Sequence, residues 1–446
     1  MSQFNAAALA AGALLACAPA LALAQEVAAD APAKEETWAI HGQTTFVLQG
    51  HNAFHSAYQG PNSLAPEAQG RETFDFTLYA GVRPWSGGEI WINPEIDQGF
   101  GLSNTLGVAG FPSGEAYKVG KRDPYIMLHR LFLRQTIDLG GDRQQVDPDL
   151  NQLGGAQTGN RLVLTIGKFA VGDVFDTNSY AHDPRKDFLN WSLIDAGTFD
   201  YAANAWGYSY GAAAELYRGR WAMRAGVFDL SVVPNSERLD PTFTQFQLIG
   251  ELEERHEIAG EPGKFKVTVF QTRGRMGKFN DAIRLAQATG QPAEIAAARD
   301  YRSRRGVSFN LEQQASENVG IFIKGGVANG DIEPYEFADI DRTLAAGASL
   351  KGALWGRPDD TWAIAGVVNG ISKNHQRFLN AGGTGILVGD GQLPHPGDEQ
   401  ILETYYDIAV AKPLHLSVDY QFVNHPAYNR DRGPVSIGAV RLHAQF

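Results

Sequence analysis

Strict alternation of apolar and polar residues constrains this chain more than any other feature. In GEIWINPEIDQ, residues 88–98, isoleucines stand at 90, 92 and 96, and charged or polar residues at 89, 93, 95 and 97. Successive side chains of a strand point to opposite faces, so the stretch reads as a strand with one apolar and one polar face. The pattern recurs along the chain. Trp38, Ile40, Phe46 and Leu48 oppose His41, Gln43, Thr45 and Gln49, and Phe74, Phe76, Leu78 and Val82 oppose Thr73, Asp75, Thr77 and Arg83. At the far end, Val440, Leu442, Ala444 and Phe446 oppose Arg441, His443 and Gln445. Sixteen such segments begin near residues 37, 72, 88, 124, 160, 207, 220, 243, 264, 303, 317, 342, 361, 399, 413 and 434. Short turns at 84–87, 218–219, 315–318 and 412–413 alternate with long loops at 51–71, 99–123, 169–206, 276–302, 328–341 and 371–398. One connection breaks the rule: 139–159 is long where a short turn belongs.

An even number of antiparallel strands, with short turns at one end and long loops at the other, is the pattern of an outer-membrane β-barrel. Hydrocarbon offers no hydrogen bonds, so a spanning sheet must close on itself. Ile90, Ile92 and Ile96 then face lipid, while Glu89, Asn93, Glu95 and Asp97 face a wet lumen. Pro94 falls on the lipid parity, and its missing N–H calls for a bulge or a barrel rim. A soluble sandwich also alternates. The barrel is favoured by an export segment, by the terminal Phe446 and by aromatic residues near strand ends. Tyr208, Tyr210, Trp221, Trp362 and Tyr406 are expected to form an interfacial girdle. The expected fold is all-β, a transmembrane antiparallel up-and-down barrel of about 16 strands.

The export segment is Ala6–Ala24, apolar throughout, with Ala22-Leu23-Ala24 before Gln25 as a cleavage site. The context of Cys17 also fits lipoprotein processing. The expected division is a signal at 1–24, a short periplasmic tail at 25–36 and a single barrel domain at 37–446. No later run is long and apolar enough for a membrane helix. The formal charge of −12 disfavours a nucleic-acid partner. Cys17 is the only cysteine, so a chain cut after Ala24 has no thiol for a disulfide or a metal, and no cofactor is expected.

The longest connection, 169–206, contains a helix signal: Asp183 as N-cap, Pro184 at the first position and Gly197 as the stop. A helix is expected over Pro184–Ala196, with the loop folded toward the lumen. A second helical hairpin is expected within 280–301. Catalytic motifs are weak. Gly207-Tyr-Ser-Tyr-Gly211 fits G-x-S-x-G, but Ser209 lies in an alternating strand rather than a strand–turn–helix elbow. His51 and His55 sit in a Gly- and Asn-rich loop, not on a helix that would aim both at a metal. No enzymatic activity is expected.

The inward parity is more informative. Glu89, Asn93, Glu95, Asp97, Arg130, Arg134, Arg161 and Arg224 share it, so acids and arginines occupy one region of the barrel. Mixed signs suit a neutral polyol, whose hydroxyls donate and accept. Inward aromatics such as Tyr79, Trp91, Phe228, Phe270 and Tyr405 offer stacking faces. The same charges read equally as a solvated, self-paired pore lining.

The run Asp176-Thr-Asn178-Ser-Tyr180-Ala-His182-Asp183-Pro184-Arg185, followed by Phe188, Asn190 and Trp191, resembles the carbohydrate-selective porins of the OprB type. So do Ile166-Gly167-Lys168-Phe169, Gly207–Gly211 and Trp91-Ile-Asn93-Pro94-Glu95. The resemblance implies a sixteen-stranded outer-membrane barrel for passive uptake of glucose and related sugars through a constriction of arginines and acids. Carried onto matching positions, it adds Lys168, Asp176, Asn178, His182, Asp183 and Arg185 to the candidates Glu89, Trp91, Asn93, Glu95, Asp97, Arg130, Arg134 and Arg161. The implied partners are a carbohydrate solute and outer-membrane lipid, in a monomer or homotrimer. The alternatives are a general, non-selective porin and an enzyme or adhesin anchored on a barrel.

Overall fold

The structure, a computed structural model, describes residues 35–117, 120–204 and 206–446. The signal at 1–24 and most of the tail at 25–36 lie outside the described residues. The strands are β1 (Trp38–His51), β2 (Gln69–Trp85), β3 (Gly88–Gly99), β4 (Lys121–Asp138), β5 (Arg143–Val146), β6 (Gly155–Thr158), β7 (Arg161–Phe169), β8 (Ser209–Arg218) and β9 (Trp221–Asp229). They continue as β10 (Phe246–Ile258), β11 (Glu261–Gly277), β12 (Arg299–Ser316), β13 (Val319–Ala328), β14 (Arg342–Lys351), β15 (Thr361–Gly370), β16 (Glu399–Ala411), β17 (Leu414–Asn424) and β18 (Val435–Gln445). Sixteen of them form one closed antiparallel barrel, and β5 and β6 pair separately as a hairpin. The strand starts lie close to those expected, the largest shift being β12, at Arg299 rather than 303. The unexpectedly long connection at 139–159 is the one that holds β5 and β6.

Closure is made by β1 against β18, from Gln43 opposite Gln445 to His51 opposite Ile437. Phe446 extends this seam, exchanging both backbone hydrogen bonds with Gly42 at 2.9 Å. Every strand of the barrel therefore has neighbours on both sides, as hydrocarbon demands. The pleat sorts the faces as the alternation predicts. Ile40, Leu48, Ile90 and Ile92 are exposed on the outside, while Gln43, Thr45, Glu95 and Asp97 are buried inside. Val269, in the middle of β11, is 54% exposed on the outer face. Val269→Arg should cost roughly 2–4 kcal/mol near the bilayer midplane. It should lower the unfolding midpoint of the folded band on unheated gels, whereas Gln291→Arg in an outer loop should not.

Three local expectations are corrected. Tyr208 does not join a girdle: it is buried, stacked on His129 with ring centroids 4.3 Å apart. Tyr210, Trp221 and Trp362 do face outward. The helix expected over Pro184–Ala196 shrinks to Trp191–Ile194, capped by Asn190. The barrel wall and neighbouring loop side chains take the backbone groups a longer helix would have paired internally. Glu403 accepts from the N–H groups of Leu189 and Asn190, and Arg441 donates to the carbonyls of Pro184, Lys186 and Asp187. Of the second helical hairpin, Phe279–Thr289 is a helix ended by a left-handed Gly290. The run after Pro292 forms only a short 3-10 turn at Ala296–Ala298.

Candidate translocation path

The candidate path begins with a bulge. β3 and β4 pair regularly from Gly88 opposite Gln135 to Asn93 opposite Arg130, and then Pro94 faces Leu128. His129 is the extra residue. Pro94 has no N–H to offer, so the irregularity falls where the ladder already lacks a bond. A bulge resets the side-chain alternation, and both His129 and Arg130 turn inward. Ile126 and Leu128 before it and Leu131 after it face outward.

The inward groups meet the long loop at 170–208. Arg130 forms a two-pronged ion pair with Asp173, at 2.7 and 2.8 Å, and lies over the Tyr208 ring. Arg185 reaches three carboxylates: Glu95 at 2.9 Å, Glu115 at 3.2 Å and Asp75 at 3.3 Å. It also donates to the Tyr79 hydroxyl. His129 lies 2.8 Å from Asp97. Arg134 stands 3.5 Å from Glu89, which also accepts from the Trp91 indole N–H and from Arg83. Asn93 is fully buried, opposite Arg130 in the ladder.

Burial and charge compete on the loop groups. Burial pushes the Asp173 carboxyl up, but the Arg130 guanidinium outweighs it and leaves the group below its ordinary range. Burial likewise raises Asp183, and Lys186 and Arg185 together bring it below. Burial alone would lower His182, yet the nearby Asp195 carboxylate raises it. For these three groups the neighbouring charges outweigh burial and favour the charged form.

Several loop residues act as anchors. The N–H of Asp176 donates to Glu251, while its carboxylate accepts from Ala196 N–H and from Asn310. Burial raises the Asp176 carboxyl. Asn178 donates to the side-chain oxygen of Asn310 and accepts from the N–H groups of Tyr180 and Ala181. Lys324, fully buried, donates to the carbonyls of Ala181 and Ile194. Glu251, Asn310 and Lys324 belong to β10, β12 and β13, so the loop is hydrogen-bonded across the barrel interior.

Two cavities flank this loop. One, of about 330 Å³, is bounded by Tyr79, Glu115, Arg130, Asp173, His182 and Asp183, among others. The second, of about 620 Å³, lies at the short-turn end, between Tyr180 and Asp187 of the loop and His415, His443 and Lys412 of the wall. Arg185 lines both.

The sequence candidates thus divide. Glu95, Arg130, His182, Asp183 and Arg185 are brought together with Asp97 close behind. Glu89, Trp91 and Arg134 form a neighbouring group toward the short turns. Arg161 sits apart at the start of β7, over the Tyr217 ring. Lys168 is a correction. It shares the outward parity of Leu164 and Ile166, pairs with outward Leu131 and Tyr210, and donates to the Leu128 carbonyl beside the bulge. Phe228 and Phe270 do point inward, but Phe175 and Phe199 of the loop cover them. The alternation missed His129 because the bulge put it off-parity, and Pro94 was the only clue. Asp173 and Glu115 lie in loops, where no periodicity marks direction.

Two other chemistries have candidate residues in the interior. Ser209 is buried and donates to the Asp229 carbonyl, a strand contact rather than a nucleophile's. Ligand atoms of Glu95, Asp97 and His129 lie within 4.8 Å of one another. Arg185 already pairs with Glu95 there, so the group reads as a charge network.

The sequence model of the carbohydrate-selective porin, OprB family, matches residues 61–446. No curated protein matches the chain. Among solved structures, the high-pH structure of Pseudomonas putida OprB is similar at 16% identity, over 92% of this chain and 94% of that one, with a TM-score of 0.69. The outer membrane channel DcaP of Acinetobacter baumannii is similar at 9% identity, over 92% and 97%, with a TM-score of 0.50. At these identities the structural likeness speaks for the barrel fold.

Proposed function

Since the chain belongs to the carbohydrate-selective OprB porin family, we propose that its sugar path crosses the loop at Arg185. The protein is an outer-membrane channel for carbohydrate diffusion, not an enzyme. The observation that carries the finer reading is that Arg185 lines both cavities. The solute enters the smaller cavity, passes Arg130, Asp173, His182 and Arg185, and leaves through the larger one. The smaller volume is near the low end of small-ligand sites, roughly 300–1,000 Å³, which suits a single sugar ring. A sugar entering a narrow passage gives up water, and each lost hydrogen bond is costly unless replaced. Guanidiniums donate to hydroxyl and ring oxygens, and the carboxylates of Asp173 and Glu115 accept from hydroxyls. Opposite signs in one ring leave no strong preference for a cation or an anion.

One observation favours a non-selective channel: Arg130 and Arg185 are already paired with acids. Liposome swelling separates the two readings. The selective channel passes glucose faster than a charged solute of equal size. Arg130→Ala weakens sugar block of the ion current by about 1–3 kcal/mol, the range for a lost partner in a buried site, and shifts ion preference toward cations. Rates set by size alone, unchanged in Arg130→Ala, would mean a general porin.

A further inference from the structure

The connection between β4 and β7 lies at the end where the other turns are short, and it does not stay outside the barrel. After β5 the chain makes a tight turn in which Asp149 and Gln152 exchange both backbone hydrogen bonds at 3.1 Å. The apex of that turn, Leu150 and Asn151, lines the 330 Å³ cavity together with Arg130, Asp173 and Arg185. Leu153 is 1% exposed and belongs to the interior cluster of Phe132 and Phe169, with Leu150 packed against it. An ordinary surface turn would leave such leucines in water.

The turn is strapped in place by the wall. Arg134 donates to the Asn151 carbonyl at 2.7 Å. Arg83 donates to the carbonyls of Leu153, at 3.3 Å, and Gly154, at 3.1 Å. Gln445 of β18 donates to the Asp149 carboxylate at 3.3 Å. Glu36 completes the strap, its N–H donating to the Gly154 carbonyl and its carboxylate accepting from the Gly154 N–H. Glu36 is thus not part of a free tail. The strap reaches β2, β4 and β18 across the seam of the barrel, and its apex lines the smaller cavity from the end where the turns are short.

We propose that residues 147–154 form an inner gate, a second restriction on the periplasmic side that forces solute sideways past Arg185 instead of straight out. The inference rests on the channel reading above. Its grip on the wall combines side-chain hydrogen bonds, mostly to backbone carbonyls, with the packing of Leu150 and Leu153, so removing it opens a direct exit without touching the ring of Arg130, Asp173 and Arg185.

The test uses thiol labelling of the full-length barrel. Cys17 is the only cysteine in the chain, so an introduced thiol is readily assigned by mass. Asn151→Cys keeps the backbone carbonyl that Arg134 holds. A bulky methanethiosulfonate reagent added from the periplasmic side of a planar bilayer is expected to label it and to lower both conductance and glucose swelling. Gln144→Cys, exposed on β5, is expected to label without effect. Replacing residues 147–153 by a short Gly-Ser turn is expected to raise conductance and admit disaccharides that wild type excludes. The proposal is overturned if labelled Asn151→Cys conducts and swells as before, if the thiol proves unreachable from that side, or if the shortened variant matches wild type. Failure of wild type to pass glucose at all would instead sink the sugar-channel reading and leave the gate testable by ion conductance.

Discussion

Arg185→Ala is expected to raise single-channel conductance, shift ion preference strongly toward cations and abolish discrimination between glucose and larger sugars. Arg185 lines both cavities, so truncating it to a methyl group is expected to join them. It also removes the guanidinium common to Asp75, Glu95 and Glu115, all within 3.3 Å. Its own charge is firmly held: burial pushes its pKa down, but these three acids drive it well above the ordinary value. Breaking a buried ion pair by removing one partner costs about 3–5 kcal/mol, felt here as weaker docking of the loop. Arg185→Lys separates charge from geometry. A lysine restores the positive charge but cannot present a planar fork to several carboxylates. It should recover ion preference and only part of the sugar selectivity. Reversal potentials in a salt gradient, with swelling rates for mono- and disaccharides, read both effects. An unchanged conductance in a folded Arg185→Ala barrel would remove Arg185 from the path.

Lys324→Met is expected to release the loop at 170–208 from the barrel wall. The ammonium is fully buried and donates to the carbonyls of Ala181 at 2.6 Å and Ile194 at 2.7 Å. Methionine fills similar space but cannot donate. Two buried carbonyls left unsatisfied cost about 1–3 kcal/mol each, enough to populate a displaced loop without unfolding the sheet. Conductance should rise and become noisy, and limited proteolysis should cut within 170–208. Lys373→Met, on an exposed residue of an outer helix, should do neither. A protected loop and a quiet wild-type conductance in Lys324→Met would show that the ammonium is dispensable.

Local chemistry makes the barrel legible in the sequence. Ile90 and Ile92 outside, and Glu95 and Asp97 inside, follow from a backbone whose side chains alternate with period two. The closing strand through Phe446 could be read in the same way. The loop run from Asp176 to Arg185 marked a segment that the structure bonds across the barrel interior. Whether an inward position is open or filled could not be read from alternation. Thr268 has the parity of a lumen residue, yet it is buried and bonded to Glu251, which also holds Asp176 of the loop. The helix expected over Pro184–Ala196 failed for a related reason, because Glu403 and Arg441, more than two hundred residues later, take its backbone groups. Lys168 and His129 show the remaining limit. Lys168 looked like a motif residue but falls on the outer face. His129 belongs to the interior only because a bulge opposite Pro94 shifts the pleat by one. Alternation is a property of one strand and is written in its own residues. The filling of the lumen, the bulge and the strap at 147–154 arise where distant segments meet, and only the closed barrel brings those partners together.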